Sequence, residues 1–196
     1  MGGAEYMKSI KKYETIINEA LRSALEYDTP EGQINEFISF FGKHIGSDRI
    51  YIFEDDEEHH VTNNTYEWCT EGITPQIEHL QGVNMEVIDW WYDTFDEGKS
   101  VIISDVEELK GVHQVSYNML KYQNVRKVVV SPLRHKGQIK GFFGVDNPPA
   151  VDYSALTMFL DMIGTMLISL LKIRNTFQKE QYNASMSSYS ALSEIY

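Results

Sequence analysis

The sequence predicts an α+β domain with helices flanking a central antiparallel sheet, and three observations carry that prediction. Apolar residues recur at helical spacing through the first 45 residues and again after residue 153. Between these stretches, short β-branched and aromatic runs alternate at a period of two, broken by Gly, Pro, Asn and Asp. The order is helices, then hairpins with short helices between them, then one long helix, which is not an alternation of βαβ units.

Each element has its own signal. Residues 4–27 read as a helix because Ile10, Tyr13, Ile17, Ala20 and Ala24 recur at steps of three and four. Thr29 as N-cap and Pro30 at the first helical position start a second helix. It buries Ile34, Phe37, Ile38, Phe41 and Ile45, and Gly46 ends it. Residues 49–54 (RIYIFE) read as a strand, 55–58 as a charged turn and 60–69 as the return strand. Thr74-Pro75 opens a short helical piece, and residues 85–97 form a helix with Ile88, Trp91 and Phe95 in register. Residues 101–104 read as a short strand, Asp105 caps the following turn, and 112–122 are helical. Residues 125–133 and 138–145 pair across Lys136-Gly137. The last helix runs from about 153 to 181, and the Ser/Ala/Tyr-rich tail 182–196 has no clear period.

That last helix carries a heptad. Leu156, Phe159, Ile163, Met166, Leu170, Ile173 and Phe177 are spaced by alternating steps of three and four, the pattern of a coiled-coil seam. A second stripe, Leu160, Leu167 and Leu171, is expected on the domain's own sheet. The expectation is a homodimer through the terminal helices.

The net charge of −12 argues against nucleic acid as a partner, because phosphate binding needs a cationic surface. The charge is localised: residues 54–108 hold 16 acidic residues and one basic residue, Lys99. The single cysteine, Cys69, cannot close an intramolecular disulfide and fits a reducing cytoplasm. The most apolar stretch, 155–171, contains Asp161 and Gly164 and reads as a buried amphipathic helix, so no membrane span is expected.

Catalytic motifs are missing. There is no phosphate-binding GxxxxGK[ST] loop, no GxGxxG after a strand and no G-x-S-x-G elbow. The run EDDEEHH at 54–60 reads as a solvated hairpin tip, since adjacent turn residues converge poorly on one ion. His113 and His135 are isolated, and Cys69 reads as a small buried hydrophobe. No catalytic residue and no metal, haem or bilin signal is assigned.

GSDRIYIFEDD (46–56), NNTYEWCTEGITP (63–75) and VSPLRHKGQIKGFFGVDNPP (130–149) resemble GAF domains. They are most similar to those of bacterial multidomain signalling proteins, often placed ahead of a GGDEF diguanylate cyclase. The most specific element is PL-x-x-x-G-x-x-x-G-x-x-x-VD, from Pro132 to Asp146. The resemblance covers 29–172, with an N-terminal helix at 1–28. Residues 173–196 then act as a signalling-helix extension leading to a C-terminal domain outside this sequence. It implies a sheet of about six strands, N- and C-terminal helices on one face, and a small-molecule cavity on the other. The lining it implies is Asn64, Thr65, Tyr66, Glu67 and Trp68 from one strand, Trp90 and Trp91 from a helix, and Asp105, Tyr117 and Ser131.

The implied function is regulatory: a sensor that binds a small molecule, dimerises, or does both, to control a diguanylate cyclase. No GGDEF motif is present, so the chain itself would not make cyclic di-GMP. The acidic 54–108 segment disfavours an anionic ligand unless Arg126, Lys127 and Arg134 reverse the local charge. Some GAF relatives are free methionine sulfoxide reductases, but these depend on several cysteines. A ligand-free dimerisation scaffold and a small-molecule enzyme using the pocket remain as alternatives.

Overall fold

The computed structural model describes residues 3–149 and 153–193, with side chains as far as residue 186. Helix α1 (Gly3–Ala24) buries Tyr13, Ile16, Ile17, Ala20 and Ala24 along one stripe. Helix α2 (Pro30–Ile45) starts where Thr29 accepts a hydrogen bond from the Gly32 N–H, and it ends at Gly46 with φ 78°. Inside α2, Gly42 is required by packing. A Cβ there would lie 2.3 Å from the Trp68 ring.

Six antiparallel strands follow: β1 (Arg49–Asp56), β2 (Val61–Cys69), β3 (Val83–Asn84), β4 (Val101–Ile103), β5 (Val128–His135) and β6 (Gln138–Asp146). Their order across the sheet is β3-β2-β1-β6-β5-β4. The period of two divides two cores. Ile50, Ile52, Phe143 and Val145 face α1, α2 and the last helix, α5 (Tyr153–Ser193). Tyr51, Phe53, Val128, Val130 and Phe142 face the opposite way, under the segment between β3 and β5. This is the expected GAF-like α+β architecture, with the terminal helices on one face.

Local differences have physical causes. Pro132 cannot donate to a ladder, and the β5–β6 register shifts between Pro132 and Arg134. Residues 85–97 are not one helix. Asn84 accepts from the Glu86 N–H and starts a tight 3-10 turn, Met85–Ile88, before helix α3 (Asp89–Asp96). Thr74-Pro75 opens a single turn and no helix: the Glu67 carboxylate caps the Gln76 and Ile77 N–H groups at 2.8 and 3.1 Å, and the Leu80 N–H closes the turn on the Gln76 carbonyl. Helix α4 (Gln114–Tyr122) is two residues shorter at its start than the pattern suggested. Asp105 does cap, accepting from the Glu107 N–H at the head of a 3-10 turn, Val106–Leu109.

The largest differences concern α5. It continues through the Ser/Ala/Tyr-rich tail to Ser193, while 194–196 lie outside the described residues. Leu156, Phe159 and Ile163 of the heptad are buried in the chain's own core, where Tyr13 of α1 packs against Phe159 with ring centroids 5.8 Å apart. For these turns α1 and α2 supply the neighbouring helices that the 3.5 spacing demands. Met166 and Leu170 are half-buried, and Ile173 and Phe177 are exposed. Leu160, Leu167 and Leu171 are buried as the second stripe required. Residues 153–186 are long and apolar enough to cross a membrane, but 44% of the most apolar window is buried inside the fold, as in a core helix.

Candidate functional site

The face of the sheet away from the helices holds a partly enclosed cavity of about 40 Å³, room for only a few waters. Its walls are aromatic: Tyr51 and Phe53 from β1, Trp91 from α3 and Phe142 from β6. Phe53 stacks on Phe142 with centroids 4.6 Å apart, and Trp91 meets the same ring edge-on at 5.5 Å. Leu80, Val83 and Ile88 close it from the β2–α3 side, with Met119 and Leu120 of α4 on the other. Two glycines permit this lining. A Cβ at Gly144 would lie 2.1 Å from the Tyr51 ring, and one at Gly141, whose φ is 139°, would lie 1.9 Å from the Phe53 carbonyl oxygen.

One end of the cavity is charged. Arg49 and Asp146 are direct cross-strand partners, and the Arg49 Nη1 group donates to Asp146 Oδ2 at 2.7 Å. Glu67 of β2 faces the same side, with Oε1 3.2 Å from Arg49 Nε. The guanidinium also donates to the Thr74 carbonyl at 2.9 Å, and Glu67 holds the Gln76 and Ile77 amides. The cluster therefore latches the covering loop to the sheet.

Burial dominates the titration here. It pushes the Asp146 carboxyl up to about 6, and the attraction of Arg49 only partly offsets it. It also pushes the Tyr51 phenol, which lies against Asp146, well up, so that hydroxyl stays protonated. Cys69 is likewise raised by burial, which keeps its thiol protonated and poorly nucleophilic. Two buried atoms of this wall have no hydrogen-bond partner among the described residues, Trp91 Nε1 and Asp146 Oδ1, while Arg49 Nε has only its ion pair with Glu67. Each such orphan costs about 1–3 kcal/mol. Among the described residues no group of three or more His, Cys, Asp or Glu is arranged to hold a metal ion.

Of the ten pocket candidates, Glu67 and Trp91 line this cavity. Asn64 and Thr65 serve the bulge between Ile52 and Phe53. Thr65 Oγ1 donates to the Ile52 carbonyl at 3.5 Å, and the Asn64 amide, oriented with nitrogen inward, donates to the Ile52 and Tyr66 carbonyls. Tyr66 and Trp68 pair with Ile52 and Ile50 and so face the helix layer. Ser131 pairs with Phe143 on that face too, its hydroxyl 2.7 Å from the Ser100 hydroxyl. Trp90 donates to Ser116 at 3.1 Å and stacks on His113 in an open surface groove. Asp105 is an exposed cap, and the Tyr117 hydroxyl donates to Glu107 at 3.2 Å.

The missed residues were findable. Once Ile50 and Ile52 are assigned to the helix face, Arg49, Tyr51 and Phe53 must take the other. The acidic segment contributes Glu67 to the cavity, while Glu57, Glu97 and Glu107 pair with lysines on the exposed surface. Arg126, Lys127 and Arg134 do not line it; Arg134 donates instead to the Phe95 carbonyl.

On the helix face, α5 is tied to β1 and β2. Arg174 donates to both Glu54 oxygens at 2.8 and 2.7 Å and to the Tyr66 hydroxyl at 3.2 Å. Its guanidinium also lies 5.5 Å from the Tyr66 ring centre.

No family model and no curated protein sequence matches the chain. Solved structures do match in shape. The GAF domain of a phosphoenolpyruvate-protein phosphotransferase from Coxiella burnetii superposes with a TM-score of 0.66 at 10% identity, covering 87% of this chain and 98% of that one. The phycocyanobilin-bound GAF domain of a cyanobacterial phytochrome gives 0.64 at 16%, covering 85% and 96%. The free methionine-R-sulfoxide reductase of Neisseria meningitidis, in complex with its substrate, gives 0.63 at 11%, covering 85% and 92%. At such identities the likeness establishes architecture, and the architecture is that of a GAF domain.

Proposed function

We propose that this chain is a regulatory sensor: a small molecule enters the cavity between the sheet and its covering segments, and the response leaves through α5. The observation that supports this best is the connectivity of β1. Tyr51 and Phe53 wall the cavity, while Glu54 of the same strand holds Arg174 of α5. A ligand with different affinity for two arrangements of this strand would supply the energy for a switch. The structural relatives include a bilin-bound GAF domain and one from a phosphotransferase, which supports a sensory reading. The finer assignment is a cytoplasmic homodimer that controls a C-terminal diguanylate cyclase. Its paired helices would meet through Met166, Leu170, Ile173 and Phe177, since Leu156, Phe159 and Ile163 serve the protomer's own core.

A thermal-shift screen of small metabolites tests ligand binding. Saturable stabilisation that vanishes when Phe53→Trp fills the cavity supports the reading, and no stabilisation by any compound opposes it. Light scattering tests the pair: a dimer that Ile173→Asp makes monomeric supports it, and a monomeric wild type at tens of micromolar removes it. The ligand-free scaffold is the second reading, favoured by one observation, the small volume its own side chains leave in the cavity.

A further inference from the structure

The polar end of the cavity narrows the ligand further, an inference that rests on the sensory reading above. Trp91 Nε1 is a donor without an acceptor and Asp146 Oδ1 an oxygen without a hydrogen-bond partner among the described residues, while Arg49 Nε between them faces Glu67 Oε1 at 3.2 Å. All three side chains are about 97% buried, and all three residues line the one aromatic-walled cavity. Protein groups satisfy the other polar atoms around them. Arg49 Nη1 and Nη2 are spent on Asp146 and Thr74, Glu67 Oε2 on the Gln76 and Ile77 amides, and Glu67 Oε1 on Arg49 Nε.

We infer that the cavity takes a small neutral amide, a molecule presenting a carbonyl oxygen to the Trp91 N–H group and an adjacent N–H to Asp146. A carboxylate of the same shape would satisfy the donor, but it would place a second acceptor against Asp146 and Glu67, two acidic side chains beside one guanidinium. An amidinium would satisfy Asp146 and leave the Trp91 N–H facing only donors. The amide alone among the three isosteres matches every orphan. The volume, about 40 Å³, limits the cavity to a molecule of a few heavy atoms, and at about 1.5 kcal/mol for each of them such a ligand binds no more tightly than tens of micromolar.

Acetamide, acetate and acetamidinium share one shape and differ in charge and in donor pattern. The test titrates each into the ¹⁵N-labelled full chain and follows the Trp91 indole N–H resonance, assigned by its loss in Trp91→Phe. Acetamide should shift it saturably and bind roughly tenfold more tightly than either ion. Trp91→Phe keeps the ring stacking and removes the donor, so acetamide affinity, read on the Met119 methyl resonance, should fall by a similar factor. If acetate or acetamidinium binds as tightly as acetamide, the ligand class is overturned while the cavity stands as a binding site. If no probe shifts Trp91, the amide assignment is overturned, and the thermal-shift screen judges the sensory reading separately. The comparison of isosteres on the unmodified chain needs no variant to fold.

Discussion

Asp146 should make this protein respond to acid in the opposite sense from most carboxylates. Its side chain is buried at the start of the β1–β6 ladder, and it titrates at about 6 in the fold against an ordinary 3.8. Between those two values the folded chain binds more protons at this site than the unfolded chain does. Stability from this group is therefore fully present below about pH 3.8 and is lost as pH rises through 6. At 1.36 kcal/mol for each tenfold change in proton affinity, the difference amounts to roughly 3 kcal/mol. Other groups also titrate over this range, so the wild-type curve alone does not isolate the effect. Asp146→Asn supplies the reference, since it keeps the shape and cannot ionise. Denaturant unfolding of both proteins from about pH 7 to about pH 4 gives the quantity to read, wild-type stability minus variant stability. That difference should rise on acidification, by up to roughly 3 kcal/mol. A flat difference would show that Arg49 fully compensates burial. A difference that falls would show that the pair stabilises the carboxylate, and either result refutes the reasoning.

Three further outcomes follow from the packing. Gly42→Ala gains helix propensity of about 1 kcal/mol but drives a Cβ to 2.3 Å from Trp68 and 2.7 Å from Ile50. Overpacking of about 1–3 kcal/mol should win, so thermal melting should show net destabilisation. Arg174→Met removes the grip on Glu54 and Tyr66 while keeping an apolar stem; a loss of about 1–2 kcal/mol should appear as faster hydrogen exchange in the turns of α5 beyond Leu171. Unchanged exchange would show that the clamp is idle. Ile163→Asp should unfold the protomer, because that side chain is 2% exposed, whereas Ile173→Asp, 55% exposed in the protomer, should leave the circular dichroism of the fold intact and lower melting only by the stability that chain pairing adds.

What the sequence made legible was whatever a local pattern determines. The caps at Thr29 and Gly46, the Lys136-Gly137 turn and the alternation in β1 each depend on neighbours a few residues away, and each appears where the pattern put it. The cavity lining was less legible, because the face a strand residue occupies depends on register. The bulge between Ile52 and Phe53 is invisible in the residues, yet it sends Asn64 to one side and Tyr66 to the other. The Arg49–Glu67–Asp146 cluster joins three strands across 97 residues of chain, a convergence that no spacing encodes. The heptad was a real period with an ambiguous partner. The spacing of 3.5 says that a helix packs alongside, and for Phe159 that helix is α1 of the same chain.

The same alternation explains why this sheet suits the proposed switching. On β1, Arg49, Tyr51 and Phe53 face the cavity, Ile50 and Ile52 lie beneath the helices, and Glu54 reaches Arg174. One strand thus holds both the ligand wall and the anchor of α5, on consecutive residues at the nearest point, with Phe53 on one face and Glu54 on the other. β2 repeats the arrangement, with Glu67 toward the cavity and Tyr66 under Arg174. A change in the cavity need not travel through a long chain of contacts; a small rotation of this hairpin moves both faces at once. Beyond Arg174, residues 175–186 are exposed, and Gln178 donates to the Glu31 carboxylate of α2 at 2.9 Å. The clamp, the Gln178 contact and the packed turns of α5 before them hold this helix, and of these Arg174 is the point where a shift in β1 would be converted into a shift of the helix.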